Sequence, residues 1–225
     1  MEIYLIRHAE PQWVIDGVNI VDPHLSERGT RQAEALAEAL DGVHFDEILA
    51  SPLRRTHLTA EPMLRRRHAR LAVAPWLEEI REPNWHGLPA TLAADAYANE
   101  RRMIAEDRWK GLPGGEAPRD FVVRIADGCE QFLIERGIVR SPQPLPVWTM
   151  EPNDRRIALF AHAGTNGVVL CHLLGLDAVP WEWDRMATGH ASISVLTSME
   201  IGDGHTFMLS SLSNVEHLAK SDRTR

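Results

Sequence analysis

Only two cysteines occur in the 225 residues, Cys129 and Cys171, and they lie far apart in segments with helical patterning. They build neither a disulfide framework nor a Cys-x-x-Cys metal or redox motif. No two of the 11 histidines form a His-x-x-x-His pair, so a helical zinc site has no support in the sequence. Positive charge is in deficit as well: 24 Lys and Arg against 32 Asp and Glu leave a net charge of −8. That balance argues against general attraction to nucleic acid or to anionic membranes, so an anionic ligand must be met by locally clustered arginines. No stretch approaches the roughly 20 apolar residues of a membrane span. The opening residues Met1 to Arg7 have neither the basic lead-in nor the cleavage site of an export signal. Cytoplasmic residence is the expectation. Internal repeats and low-complexity tracts are also absent.

What is present is alternation. Ile3 to Arg7 is a short run of strand-forming residues, and Ser26 to Leu40 repeats apolar residues at helical spacing, with Ser26 placed as an N-cap and Gly42 just beyond the end. Glu47 to Ser51 reads as a second buried strand, Arg55 to Arg66 as a helix and Arg70 to Ala74 as a third strand. This order predicts an α/β fold, a three-layer α/β/α sandwich around a mainly parallel sheet. Between Trp76 and Gly115 the pattern loosens around a helical stretch from Thr91 to Asp107, read as a capping insertion within a single domain spanning 1–225. Phe121 to Arg136 is an amphipathic helix, and Ile138 to Arg156 a Pro-rich connection. Ile157 to Ala161 is the next strand and Thr165 to Leu174 its helix, after which Ile193 to Thr197 and Thr206 to Leu212 form a hairpin. The polar residues from Lys220 onward are expected to fray. The basic run LRRRHAR (Leu64 to Arg70) ends a helix in an acidic protein and reads as a solvated face that complements the helix dipole.

Three polar segments directly follow predicted strands of one sheet: Arg7-His8, Ser51-Pro52 and His162-Ala163-Gly164. In open α/β sheets the ligand crevice lies at the carboxyl ends of the strands, so these segments should meet. LIRHAEPQW (Leu5 to Trp13) resembles the signature of the histidine phosphatase (phosphoglycerate-mutase-like) superfamily. LSERGTRQAEAL, SPLRRTHLTAE, PGGEAPRDFVVRI, FAHAGTNGVVL and SNVEHL resemble its further motifs, in the same order over nearly the whole chain.

The resemblance implies that His8 is a nucleophile that becomes phosphorylated, that Arg7 and Arg55 bind phosphate and that His162 is the second pocket histidine, acting in both binding and catalysis. It places the proton-donating acid at Glu79, with Glu78 and Glu82 competing for that position. The chemistry suits these residue types. A phosphomonoester dianion repels nucleophiles, so its oxygens must be neutralised, an attacking atom placed in line and the leaving oxygen protonated. Guanidinium groups hold two phosphate oxygens in a fork and stay charged. Neighbouring cations favour the neutral imidazole that attacks.

The implied activity is hydrolysis of a small phosphomonoester without a metal or other cofactor. A phosphoglycerate mutase and a non-catalytic phosphate-binding module stand as alternatives. The expected partner is the small-molecule substrate, with assembly as a homodimer left open. Several positions depart from the family pattern: Ala9 and Ala163 replace glycines, Pro11 replaces a Thr, Val14 stands where many relatives have Asn, and Pro83 and His86 alter the capping motif. Alanine adopts positive φ only at a cost, so Ala9 and Ala163 pose a question about the loops. His190 reads either as a loop residue or as a contact on the pocket rim.

Overall fold

The computed structural model describes all 225 residues. Its first half runs β1 (Glu2–Arg7), the small hairpin β2 (Val14–Ile15) and β3 (Val18–Asn19), α1 (Glu27–Ala39), β4 (Glu47–Ala50), α2 (Arg54–Arg67), β5 (Ala72–Val73) and α3 (Ala90–Glu100). The second half runs α4 (Pro118–Ile134), β6 (Val139–Arg140), β7 (Trp148–Thr149), β8 (Arg156–Ala161), α5 (Ala163–Leu174), the single turn α6 (Glu182–Arg185), β9 (Ile193–Ile201) and β10 (Gly204–Asn214). Eight strands make one sheet in the order β5-β4-β8-β1-β9-β10-β7-β6. The first four in that order run parallel, and the remainder extend the sheet antiparallel.

The central strands are buried on both faces, which explains their nearly unbroken apolar sequences. Along β8, Ile157, Leu159 and Ala161 pack beneath α4 and α5, while Ala158 and Phe160 pack beneath α1 and α2. The two-residue side-chain period of a strand thus feeds two cores at once. Ser26 caps α1 as its sequence predicts, its Oγ accepting from Gly29 N at 2.9 Å, a bond typically worth about 1 kcal/mol. The basic end of α2 is held by Arg65 to Glu34 at 2.7 Å and Arg66 to Glu38 at 3.2 Å, and Arg67 donates to the carbonyls of Leu40 and Val43.

Three expectations need correction. The connection from Ile138 to Arg156 is not all loop, because it contributes β6 and β7 to the sheet and buries Trp148 completely against Phe207. Two-residue strands are too short to show a periodicity. The capping helix ends at Glu100 rather than near Asp107, and a separate 3-10 turn spans Ala105–Lys110. The segment from Lys220 does not fray: a 3-10 turn covers Lys220–Asp222, and Asp222 accepts two bonds from Arg31 at 2.8 and 3.2 Å.

The insertion between β5 and α4 lies over the carboxyl ends of the parallel strands, stitched to the β2–β3 hairpin by backbone bonds. Asn19 N donates to Leu88 O at 2.8 Å, Gly87 N to Asn19 O at 2.9 Å and Ala90 N to Gly17 O at 2.9 Å. Hairpin and insertion together form the walls of a cavity.

Candidate active site

The cavity has a volume of about 620 Å³, and Arg7, His8, Arg55, Glu79 and Gly164 all line it. His8 directly follows β1 and is tied to both neighbouring strands' ends: its N–H donates to Ala161 O at 2.9 Å and its carbonyl accepts from Ala191 N at 3.2 Å. The imidazole is 3% exposed. Its Nδ1 lies 2.8 Å from Ala9 O, and since a carbonyl only accepts, Nδ1 carries the ring proton. The lone pair of the neutral ring is therefore on Nε2. Burial pushes the His8 pKa well below its ordinary 6.5, with Arg55, His162, Arg7 and His190 adding to the shift. The loop after His8 does not require glycine, because neither Ala9 nor Ala163 has positive φ. Ala9 N donates to Thr59 Oγ1 at 2.8 Å, and Ala163 simply opens α5.

Arg7 is held from behind. Its Nη1 donates to Thr188 O at 2.5 Å, and its Nη2 lies 3.2 Å from His190 Nε2. Guanidinium has no acceptor, so His190 Nε2 accepts, and the proton sits on Nδ1, 2.9 Å from Thr224 Oγ1. Burial lowers the Arg7 pKa to about 10, partly countered by Glu79. Arg55, 5% exposed, stacks on Trp13 with its guanidinium carbon 4.9 Å from the ring centre, and Asp22 lies 3.7 Å from its Nη1. Arg54 points elsewhere, to His24 Nε2 at 3.0 Å.

His162 is fully buried beside His8, the two ring centres being 5.1 Å apart. Its Nε2 lies 2.7 Å from Ser51 Oγ, which itself accepts from Leu53 N at 3.3 Å. The Ser51 hydroxyl has no other acceptor for its proton, so it donates to Nε2, leaving Nδ1–H as a donor. Burial lowers the His162 pKa well below 6.5, and Arg55 and Arg7 lower it further. Arg7 Nε, Arg55 Nε and His162 Nδ1 are all buried without a hydrogen-bond partner. Arg7 and Arg55 line one cavity with His8, and His162 lies beside it, so two guanidinium groups and an imidazole meet one imidazole lone pair, a donor set that suits an acceptor-rich anion.

Glu79 is the carboxylate the structure brings to this centre. Its Oε2 accepts from Gly164 N at 2.9 Å, and its Oε1 accepts from Ile80 N at 3.0 Å and Thr165 N at 3.2 Å. The carboxylate therefore caps the N-terminus of α5, where the helix dipole favours negative charge. A Cβ on Gly164 would sit 2.5 Å from Glu79 Oε1, so only glycine leaves room for this seat. Glu78 instead pairs with Arg81 at 2.7 Å, and Glu82 accepts from the Tyr97 hydroxyl. Arg124 holds the backbone of this segment, donating to Glu78 O at 3.0 Å and Glu79 O at 3.3 Å while Glu116 grips it at 2.8 Å.

The family model for the histidine phosphatase superfamily (branch 1) matches residues 3–208. The chain belongs to that superfamily. Among curated histidine phosphatase relatives, the adenosylcobalamin/alpha-ribazole phosphatase of Escherichia coli is 38% identical over 216 residues, covering 90% of this chain and 98% of that protein. Phosphoserine phosphatase 1 of Hydrogenobacter thermophilus is 30% identical over 180 residues, covering 79% and 78%. A mycobacterial glucosyl-3-phosphoglycerate phosphatase solved with inorganic phosphate superposes with a TM-score of 0.70 at 25% identity, covering 97% of this chain and 99% of that one. The relatives support a phosphatase of this superfamily without specifying a substrate.

Two supports of this histidine phosphatase site were not assigned from sequence. Thr224 lies in the polar tail, and His190 has two readings there. The only available signal was that His190 precedes a predicted strand. Because His190 accepts from a charged donor, replacing it with leucine should weaken inhibition by inorganic phosphate roughly 10–100-fold. His190→Gln, which retains an acceptor, should recover most of that loss, and Thr224→Val should cost a few-fold. Inhibition constants for phosphate across the three variants check this. Equal losses in all three would mean the contact only supports the fold.

Proposed function

We propose that this protein hydrolyses small phosphomonoesters through a phosphohistidine intermediate on His8. Arg7, Arg55 and His162 hold the phosphoryl oxygens, and His8 Nε2 attacks phosphorus in line. As the N–P bond forms, the ester P–O bond breaks and the leaving oxygen takes a proton from the Glu79 carboxyl. The Nδ1–H goes on donating to Ala9 O, which steadies the positive ring of the phosphorylated histidine. In the second half Glu79 takes a proton from water, the water oxygen attacks phosphorus and the N–P bond breaks. Inorganic phosphate leaves and His8 is again neutral. The observation that carries this reading is the neutral His8 Nε2 lone pair in a cavity lined by two guanidinium groups, Arg7 and Arg55, with His162 beside it.

Hydrolysis is favoured over a mutase by the cavity's remaining charge. Besides Arg7 and Arg55 its lining has one cation, Arg81, and Glu78 already pairs with it. A second phosphate or carboxylate of a phosphoglycerate would find no free cation there. The purified protein should release inorganic phosphate from p-nitrophenyl phosphate, with rates unchanged by excess EDTA. Activity lost on chelation and restored by a divalent metal would contradict the proposed centre. Phosphate exchange between phosphoglycerates faster than release to water would establish the mutase reading.

A further inference from the structure

The cavity is far larger than a phosphate needs, and its outer walls have a distinct chemistry. Trp13 stands beside the phosphate end, with its ring centre 6.4 Å from that of His8. Trp85 and Tyr97 face the same space from the insertion, their ring centres 5.6 Å apart and edge-to-face, and Ile20, Val21 and Leu53 add apolar surface. The outer charges are Asp22, Glu78 and Glu82 against Arg81 alone. Asp22 accepts from Arg54 N at 2.8 Å and Glu78 is paired with Arg81, whereas Glu82 has only the neutral Tyr97 hydroxyl.

On the hydrolytic reading above, we infer that the outer cavity accepts the alcohol part of the substrate as a flat uncharged apolar group or an organic cation, seated between Trp13 and the Trp85–Tyr97 pair within reach of Glu82. Flat rings gain edge and face contacts from such walls, and a cation gains from both the π faces and the carboxylates. A hydroxyl or amine N–H on the ligand can donate to Glu82, which no cation already occupies. A second anion on the alcohol loses its water to carboxylates of its own sign, a repulsive element that builds selectivity without any new contact. The insertion therefore sets which esters are chosen, while the strand ends treat all phosphates alike.

The test is kcat/KM measured on the full-length protein for 2-phenylethyl phosphate, phosphocholine and 3-phosphoglycerate, with p-nitrophenyl phosphate as the reference. The aromatic and the cationic ester should each exceed 3-phosphoglycerate by about tenfold or more. Glu82→Lys should narrow or invert that ratio by raising the rate on 3-phosphoglycerate. Trp85→Ala should lower the rate on 2-phenylethyl phosphate by about tenfold with little effect on 3-phosphoglycerate. Turnover of p-nitrophenyl phosphate together with 3-phosphoglycerate as the best ester overturns the inference while leaving the hydrolase reading intact, as does a ratio unmoved by Glu82→Lys and Glu82→Gln alike. Failure to release phosphate from any ester, the reference included, rejects the hydrolase reading itself.

Discussion

His8→Ala is expected to lower phosphate release by roughly 10⁴-fold or more and to eliminate acid-labile phosphorylation of the protein. The size of the effect follows from the absence of a substitute: His162 engages Ser51 through Nε2, and His190 engages Arg7 and Thr224 through its two nitrogens. Neither presents a free lone pair in the cavity that Arg7 and Arg55 line. Rapid quench with a ³²P-labelled ester, followed by acid lability of the protein-bound label, checks both halves of the expectation. Label retained in the variant would move the nucleophile elsewhere. The same geometry sets the pH behaviour. Burial, Arg55, His162, Arg7 and His190 all hold His8 below 6.5, so the free enzyme keeps its nucleophile unprotonated as the pH falls through the mildly acidic range. Any acid limb of kcat/KM near pH 6 should then belong to the second ionisation of the substrate phosphate, about 6, and shift when an ester of different acidity is used. A limb fixed at 6.5 for every ester would assign the titration to the protein.

Glu79→Gln is expected to slow hydrolysis of alkyl phosphates by roughly 10²–10⁴-fold while slowing p-nitrophenyl phosphate far less. Glutamine keeps one oxygen to accept from the α5 N-terminus while its amide NH2 loses the bond that the other carboxylate oxygen accepted, and it cannot give a proton to an alkoxide. Nitrophenolate leaves without that help. Gly164→Ala should reproduce the same leaving-group dependence in weaker form, because the added methyl group would lie 2.5 Å from Glu79 Oε1 and displace the carboxyl without changing its chemistry. Steady-state kcat on a series of esters with graded leaving groups separates the outcomes. A uniform loss across the series would make Glu79 a support of the α5 N-terminus rather than a proton donor.

The parts of this arrangement that could be read from sequence are those with local signals. Ile3 to Arg7 and Ile157 to Ala161 are apolar because both faces of their strands are buried, and a polar residue immediately after each run marks the strand end that faces the crevice. That was sufficient to bring Arg7, His8, Ser51 and His162 together. The acid was ambiguous among Glu78, Glu79 and Glu82, since what distinguishes them is a pair of backbone N–H groups at Gly164 and Thr165, remote in sequence. Ala9 and Ala163 looked like strained replacements only because a φ angle cannot be read from a residue name; both adopt ordinary backbone. The order of the tail is hidden from sequence for a related reason. Its polarity, ordinarily a sign of solvation, serves contacts to Gln32, Arg31 and His190.

That tail bears on when the site comes into existence. Gln32 Nε2 donates to Asp222 O at 2.6 Å and to Thr224 Oγ1 at 3.0 Å, while Gln32 Oε1 accepts from Glu10 N at 2.7 Å, two residues beyond His8. His8 and Arg7 are thus made well before Thr224, and the brace on that arginine closes only after residue 224 has been made. Until then Arg7 lacks its contact with a braced His190, and a partly synthesised chain holds the reactive imidazole without a finished phosphate grip. Completion of the arginine brace is thus a late event of folding, coupled to a contact between segments far apart in the sequence.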